Sequence, residues 1–208
     1  MAILKMAPTK SNLLLLRRHL AFAEEGFDLL EQKRQILVLG LMSRLSRACE
    51  AERLVAERMR NAFAALREAA LDLGAEGLDR ASTAVATDHR LAVEDRKMMG
   101  LRLPRVISRL EPAGTRFGVA GTSASADAAM LRFAGALPLL VEMAELETAV
   151  ARLARELRKT QRRCNALSKT FIPSYRQTIA WMTGALEERE RESLIVLKTV
   201  RDRLARAV

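Results

Sequence analysis

Residues 13–41 read LLLLRRHLAFAEEGFDLLEQKRQILVLGL, and their spacing decides the fold. Leu13, Leu16, Leu20, Ala23, Phe27, Leu30, Leu37 and Leu41 follow alternating steps of three and four, and only Arg34 breaks the series. An apolar stripe with this heptad spacing is the seam of a coiled coil. After Ala48 the stripe moves by one place and continues through Val55, Met59, Ala62, Leu66, Ala69 and Leu73. A shift of that kind resembles a stutter, which locally unwinds a supercoil. No proline interrupts the stripe after Pro8, and Asn12 or Ser11 is expected to cap its start. One helix of about 60 residues, roughly 90 Å long, is expected.

A second stripe runs through Leu139, Met143, Leu146, Val150, Leu153, Leu157, Thr160, Cys164, Leu167 and Phe171. It changes phase there, continues through Tyr175, Ile179, Met182 and Leu186, and ends with Leu194, Leu197 and Leu204. On its polar face Glu187 and Arg191 stand at the supportive four-residue spacing. Between the stripes, residues 74–138 hold seven of the ten glycines and three of the five prolines. Residues 90–95 (RLAVED) and 100–107 (GLRLPRVI) suit two short strands turning at Gly100. The expected fold is therefore mostly all-α: a long antiparallel two-helix coiled coil with a small central insert carrying a β-hairpin. Its sections are an N-terminal shaft helix over 1–73, a head over 74–138 and a C-terminal shaft helix over 139–208. A helical bundle core is the competing reading of the stripes.

Folding the two helices back flush makes position i face about 212 − i and brings both termini to one end. That pairing sets Pro173 opposite Gly40, Gly184 opposite Gly26, and Cys164 at the level of Cys49. Pro173 has no amide hydrogen and opposes the carbonyl of Lys169, so a kink is expected there.

Composition agrees with long helices. The 208 residues include 34 Ala and 33 Leu against 11 Val and 6 Ile, and aromatics make up only 4%. That excludes an all-β or doubly wound α/β domain. No charge-free stretch exceeds about ten residues, against the ~20 of a membrane-crossing helix. The opening MAILKMAPTK lacks the apolar core of a secretory signal, so an intracellular address is expected, and two cysteines make no disulfide framework. Basic residues outnumber acidic ones by 35 to 25, most densely at Arg155, Arg158, Lys159, Arg162, Arg163, Lys169 and Arg176. Both signs mix along the chain and no base-reading motif appears, so a basic coiled-coil nucleic-acid-binding or adaptor protein is the alternative reading.

No catalytic, metal or cofactor constellation emerges. His19 and His89 have no partner at ligand spacing, there is no C-x-x-C, and residues 118–125 (GVAGTSAS) lack the lysine of a phosphate-binding loop. Glutamates alternate with arginines on polar helix faces, whereas a di-iron bundle needs inward carboxylates paired with histidines.

Both ends nevertheless carry a recognisable pattern. Near the N-terminus stand Pro8, Thr9, Asn12, Leu13, Leu14, Leu20, Ala23, Gly26, Leu29, Leu30, Lys33 and Arg34; in the insert, Met99, Gly100 and Pro104. Toward the C-terminus KTQRRCNALSKTFIPSYRQTI supplies Lys159, Thr160, Arg162, Arg163, Asn165, Ala166, Leu167, Ile172, Pro173, Thr178 and Ile179. LEERERESLIVLKTV adds Leu186, Glu188, Glu190, Arg191, Glu192, Leu197 and Lys198. This set resembles the D subunits of the V-type and archaeal-type (V/A) rotary ATPases and ATP synthases, with Cys164 and Ser168 replacing the usual valine and glutamate.

The resemblance implies a non-catalytic central-stalk rotor shaft without cofactor. Its implied partners are the nucleotide-binding A and B subunits, the small F subunit of the stalk and a funnel-shaped subunit that links to the membrane ring. Nucleic acid is not among them, and the membrane is met only indirectly, from the cytoplasmic side. Asn12, Gly26, Lys33, Arg34, Arg162, Arg163, Asn165, Leu167, Ile172 and Pro173 are the implied partner contacts or packing residues.

Overall fold

The computed structural model describes residues 4–84, 90–98, 100–109 and 123–207. Helix α1 spans Lys10–Ala84, strands β1 (Arg90–Met98) and β2 (Leu101–Arg109) follow, and α2 spans Ala124–Ala166. A π-helical turn, Leu167–Phe171, joins α2 to α3, Ile172–Ala207. The all-α expectation with a central hairpin is met. Residues 118–122 of the glycine-serine run and His89 lie outside the described residues.

Thr9, not Asn12 or Ser11, caps α1: its hydroxyl accepts the Asn12 amide at 3.2 Å and its carbonyl the Leu13 amide. Asn12 instead donates its side-chain amide to the Ala7 carbonyl at 2.9 Å. At Gly74 the helix is broken, with φ 68° and ψ 169°, a backbone state that a residue with a Cβ rarely adopts. Ser123 caps α2 by accepting the Ala126 and Asp127 amides on its carbonyl. Starting there rather than near 139, α2 runs on through Pro138. The helical run from Ala124 to Ala205 also holds one stretch long and apolar enough, by length and composition alone, to cross a membrane.

The chain forms two compact units, one of residues 1–36 with 157–208 and one of residues 37–156. In the second unit the seam is rich in alanine: Ala51, Ala62, Ala65 and Ala69 are buried on α1, and Ala126, Ala129, Ala136 and Ala149 on α2. Larger side chains fill it at Leu37 and Leu153, both fully enclosed, and Phe63 meets Phe133 edge-on at 5.3 Å. Arg47 pairs with Glu142 and Arg132 donates to the Asn61 carbonyl across the pair. The hairpin turns at Gly100 (φ 79°) and is antiparallel, with Val93 opposite Val106 and Asp95 opposite Pro104. Leu103 is its buried anchor. Gly40 has a local purpose: a Cβ there would stand 3.0 Å from the Met98 methyl, so its absence lets the hairpin tip approach α1.

In the first unit, Leu16 and Ala23 of α1 are buried together with Thr160, Cys164, Ile172, Thr178 and Met182. Here the flush pairing fails. Lys10 meets Glu190, Glu24 meets Arg176 and Arg34 meets Gln161, so paired positions total roughly 195–200 instead of 212. Two features accompany the offset. Residues 4–9 fold back as a strap, with the Leu4 amide donating to Thr178 Oγ1 at 3.1 Å and Arg189 donating to the Pro8 carbonyl. Correspondingly, α3 continues beyond Glu190 with every described side chain to residue 205 exposed. Pro173 thus lies near His19 and Glu24 and not at the level of 39. Gly184 sits short of Glu190, the partner of Lys10, and not at the level of Gly26.

Candidate partner-contact surface

Arg34 occupies the one polar place in the first apolar stripe, and the first unit shows how it is accommodated. Its guanidinium is paired with Glu31 one helical turn earlier and donates to Gln161 Oε1 at 3.2 Å. Gln161 in turn donates to Asn165 Oδ1 at 3.1 Å, so a polar chain crosses from α1 to α2. The Glu31 carboxyl is held below the usual carboxylate range by its bond to Arg34, although partial burial opposes the shift. Arg34 is pushed further toward its charged form by the same bond. Beneath them lies Cys164, whose thiol is pushed up by burial, with the Glu31 charge adding and the Arg34 charge opposing. Cys164 is therefore neighboured by Glu31 and Arg34; the pairing that sets it level with Cys49 does not hold.

Immediately after Ala166 the helix widens. Leu167 opens the π-helical turn, and the Ile172 amide donates back to its carbonyl, five residues away. One extra residue in a turn rotates everything that follows. Phe171, expected on the stripe, is half exposed, while Ile172 is buried and begins the new phase through Thr178 and Met182. Pro173, next in line, has no amide to donate to Lys169, so the irregular turn is where its demand is absorbed. Thr178, fully buried, is satisfied on both sides: it donates to the Ser174 carbonyl and accepts from Leu4. The strap and this turn border a cavity of about 380 Å³ lined by Leu4, Met6, Leu16, His19, Phe171 and Tyr175 among others.

Of the residues that stand out in the sequence, Arg34 and Asn165 join through Gln161, and Leu167, Ile172 and Pro173 follow on the same stretch. Arg162 and Arg163 are exposed with no partner among the described residues, as are Arg158, Lys159 and Lys169, whereas Arg176 pairs with Glu24. Lys33 is partly buried, Asn12 braces the strap, and Gly26 stands apart: a Cβ there meets nothing within 4 Å. Among the described residues no packing explains glycine at 26. Sequence reasoning misses Glu31 and Gln161. Their signals are the three-residue spacing of Glu31 to Arg34 and the need of a seam arginine for an acceptor on the facing helix.

Among the described residues no group of three or more His, Cys, Asp or Glu side chains is placed to hold a metal ion. The surface is an array of exposed cations beside an ordered polar crossing, suited to carboxylates or carbonyls on another protein.

The family of ATP synthase D subunits matches residues 12–202. The second V-type ATP synthase D subunit of Treponema pallidum is 39% identical over 198 residues, 95% of each chain. The V-type ATP synthase D subunit of Thermotoga neapolitana is 33% identical over 204 residues, covering 98% of this chain and 100% of its own. The A-type ATP synthase D subunit of Pyrococcus abyssi is 34% identical over 202 residues, covering 96% and 94%.

Proposed function

Because the chain belongs to the family of ATP synthase D subunits, we propose that it is the central-stalk rotor shaft of a V/A-type rotary ATPase or ATP synthase. In this role it carries torque between a hexamer of nucleotide-binding A and B subunits and the membrane rotor that moves protons or sodium ions. A small F subunit and a funnel-shaped subunit complete its contacts, and the chain sits on the cytoplasmic side, peripheral to the membrane. It takes no part in the chemistry of ATP.

The observation that supports this most is the continuity of antiparallel helix pairing in the first unit, closed by long-range bonds from Lys10–Glu190 to Arg34–Gln161. Torque twists a shaft about its axis, and interlocked side chains across two helices resist that twist better than a single helix does. The end of α3 suits insertion into an apolar collar: Leu194, Ile195, Val196, Leu197, Val200 and Leu204 are all exposed. Exposed apolar groups clustered this way mark a contact surface. Arg162, Arg163 and their basic neighbours would meet acidic or carbonyl groups of a surrounding subunit, where long solvated side chains can exchange partners during rotation.

Affinity purification of the tagged chain from its host tests the proposal. It should bring the two nucleotide-binding subunits and the small stalk subunit, and the complex should hydrolyse ATP while the isolated chain does not. Recovery of DNA or RNA, with binding that falls steeply in salt, would support the basic-adaptor reading instead.

A further inference from the structure

The hairpin of the second unit has two unlike edges. In an antiparallel pair, alternate residues turn their amide and carbonyl outward, away from the partner strand. The Val106 amide donates outward to Glu145 of α2 at 2.8 Å, and the Arg102 carbonyl accepts Arg152 of α2 at 2.6 Å. Between them stands Pro104, which has no amide at all. The outer edge of β2 is therefore occupied twice and blocked once.

The register then fixes which groups of β1 point outward. Residues 106, 104 and 102 pair with Val93, Asp95 and Lys97, and Leu91 continues the series opposite Ser108. No bond to the outward groups of these four residues occurs among the described residues, and residues 91–97 are all exposed. Leu91 and Val93 are 54% and 67% exposed, apolar side chains on an open strand edge. Strand edges left open in this way are templates for pairing, and natural proteins ordinarily cover or block them. Among the described residues only the β2 edge is covered.

We propose that the outer edge of β1 receives an extended strand of a partner subunit, adding a third strand to the hairpin. The proposal rests on the reading of this chain as a subunit of a larger complex. Side chains specify the guest: apolar residues beside Leu91 and Val93, a basic residue beside Asp95 and an acidic one beside Lys97. A second copy of this chain does not meet that requirement. Laid antiparallel across the whole edge, it sets Leu91 against Lys97 and Val93 against Asp95, losing both the apolar and the charge match. The guest is a different polypeptide.

Residue-resolved amide hydrogen exchange tests this on the full-length chain, alone and in the complex purified with its nucleotide-binding and small stalk subunits. The amides of Leu91, Val93, Asp95 and Lys97 should slow at least tenfold on assembly. Those of Ala92, Glu94 and Arg96, already bonded to β2, should change little. Val93→Pro removes one outward amide and leaves the β1–β2 ladder bonds intact, so proline is tolerated on that side. In this variant Ala92, Glu94 and Arg96 should keep their rates, certifying the hairpin, while the protection of Leu91 and Asp95 on assembly is lost. A photo-cross-linker at position 91 should join β1 to another subunit. Assembly with unchanged exchange at the four outward amides would overturn the edge proposal alone, and so would cross-linking only to a second copy of this chain. No assembly at all would overturn the functional reading and this proposal with it.

Discussion

Arg34 is the residue at which the seam becomes specific. A stripe that repeats every seven residues is nearly indifferent to sliding by whole heptads, since leucine again meets leucine or alanine. Glu31 holds Arg34 from within its own helix, but Arg34 reaches Gln161 on the facing helix at only one register. Its ion pair also links stability to pH. Glu31 has a folded pKa below its unfolded one, so its contribution is present above the ordinary value near 4.5 and is lost as pH falls through the folded pKa. The Glu31→Gln chain should show a shallower fall of thermal midpoint than the parent below about pH 4.5. The two thiols offer a second test. Cys49 is exposed while Cys164 is buried with a raised pKa, so an alkylating reagent at neutral pH should label Cys49 first and Cys164 only on unfolding. Mild oxidation should leave no intramolecular 49–164 disulfide; mass mapping decides. At Gly26 a methyl group meets nothing, and alanine is the better helix former by about 1 kcal/mol. Gly26→Ala should raise the stability of the isolated chain by roughly 0.5–1 kcal/mol, read by thermal or denaturant unfolding. If a partner backbone passes close to position 26, the same change will weaken assembly.

Individual elements are legible in the sequence to different degrees, for physical reasons. The two stripes are readable because burial on a helix imposes its period: Leu16, Ala23, Leu37, Val55, Ala62 and Ala69 are buried where the spacing puts them, as are Leu146, Leu153, Cys164 and Met182. The hairpin is readable from Gly100 between two β-compatible runs. Register is not, because the apolar pattern is degenerate under heptad slides and the strap at 4–9 carries no periodic signal. Nor is the form of the Pro173 irregularity. A missing amide can be met by a kink or by an inserted residue, and only the packing of Ile172 and Phe171 selects the π-helical turn. At the candidate surface, cations and polar motif residues can be picked out by type, whereas Gln161 becomes visible only once α1 and α2 are aligned. Pro173→Ala restores an amide facing Lys169 and removes a steric conflict, so the variant should be no less helical by circular dichroism. If the irregular turn sets the course of the upper shaft, ATP turnover of a complex containing the variant should fall while the chain remains folded.

On the scale of the whole molecule, long helices supply both compact units. The alanine-rich seam of the second unit and the polar-locked seam of the first each bury a narrow stripe, and abundant surface remains for neighbours. Beyond Glu190 the side chains of residues 191–205 are all exposed, and this end of α3 extends roughly 25 Å as a helix, long enough to engage a collar well beyond the start of α1. As a rotor shaft, this chain must turn within the complex. The most direct measurement fixes the nucleotide-binding hexamer to a surface, attaches a bead to the exposed Cys49 of the full-length chain in the complex, and adds ATP. Sustained rotation of the bead in one direction, at a rate that follows ATP concentration until it saturates, is the predicted result. ATP turnover by the same complex with a stationary bead, the chain still bound, would rule out a rotor role for this chain.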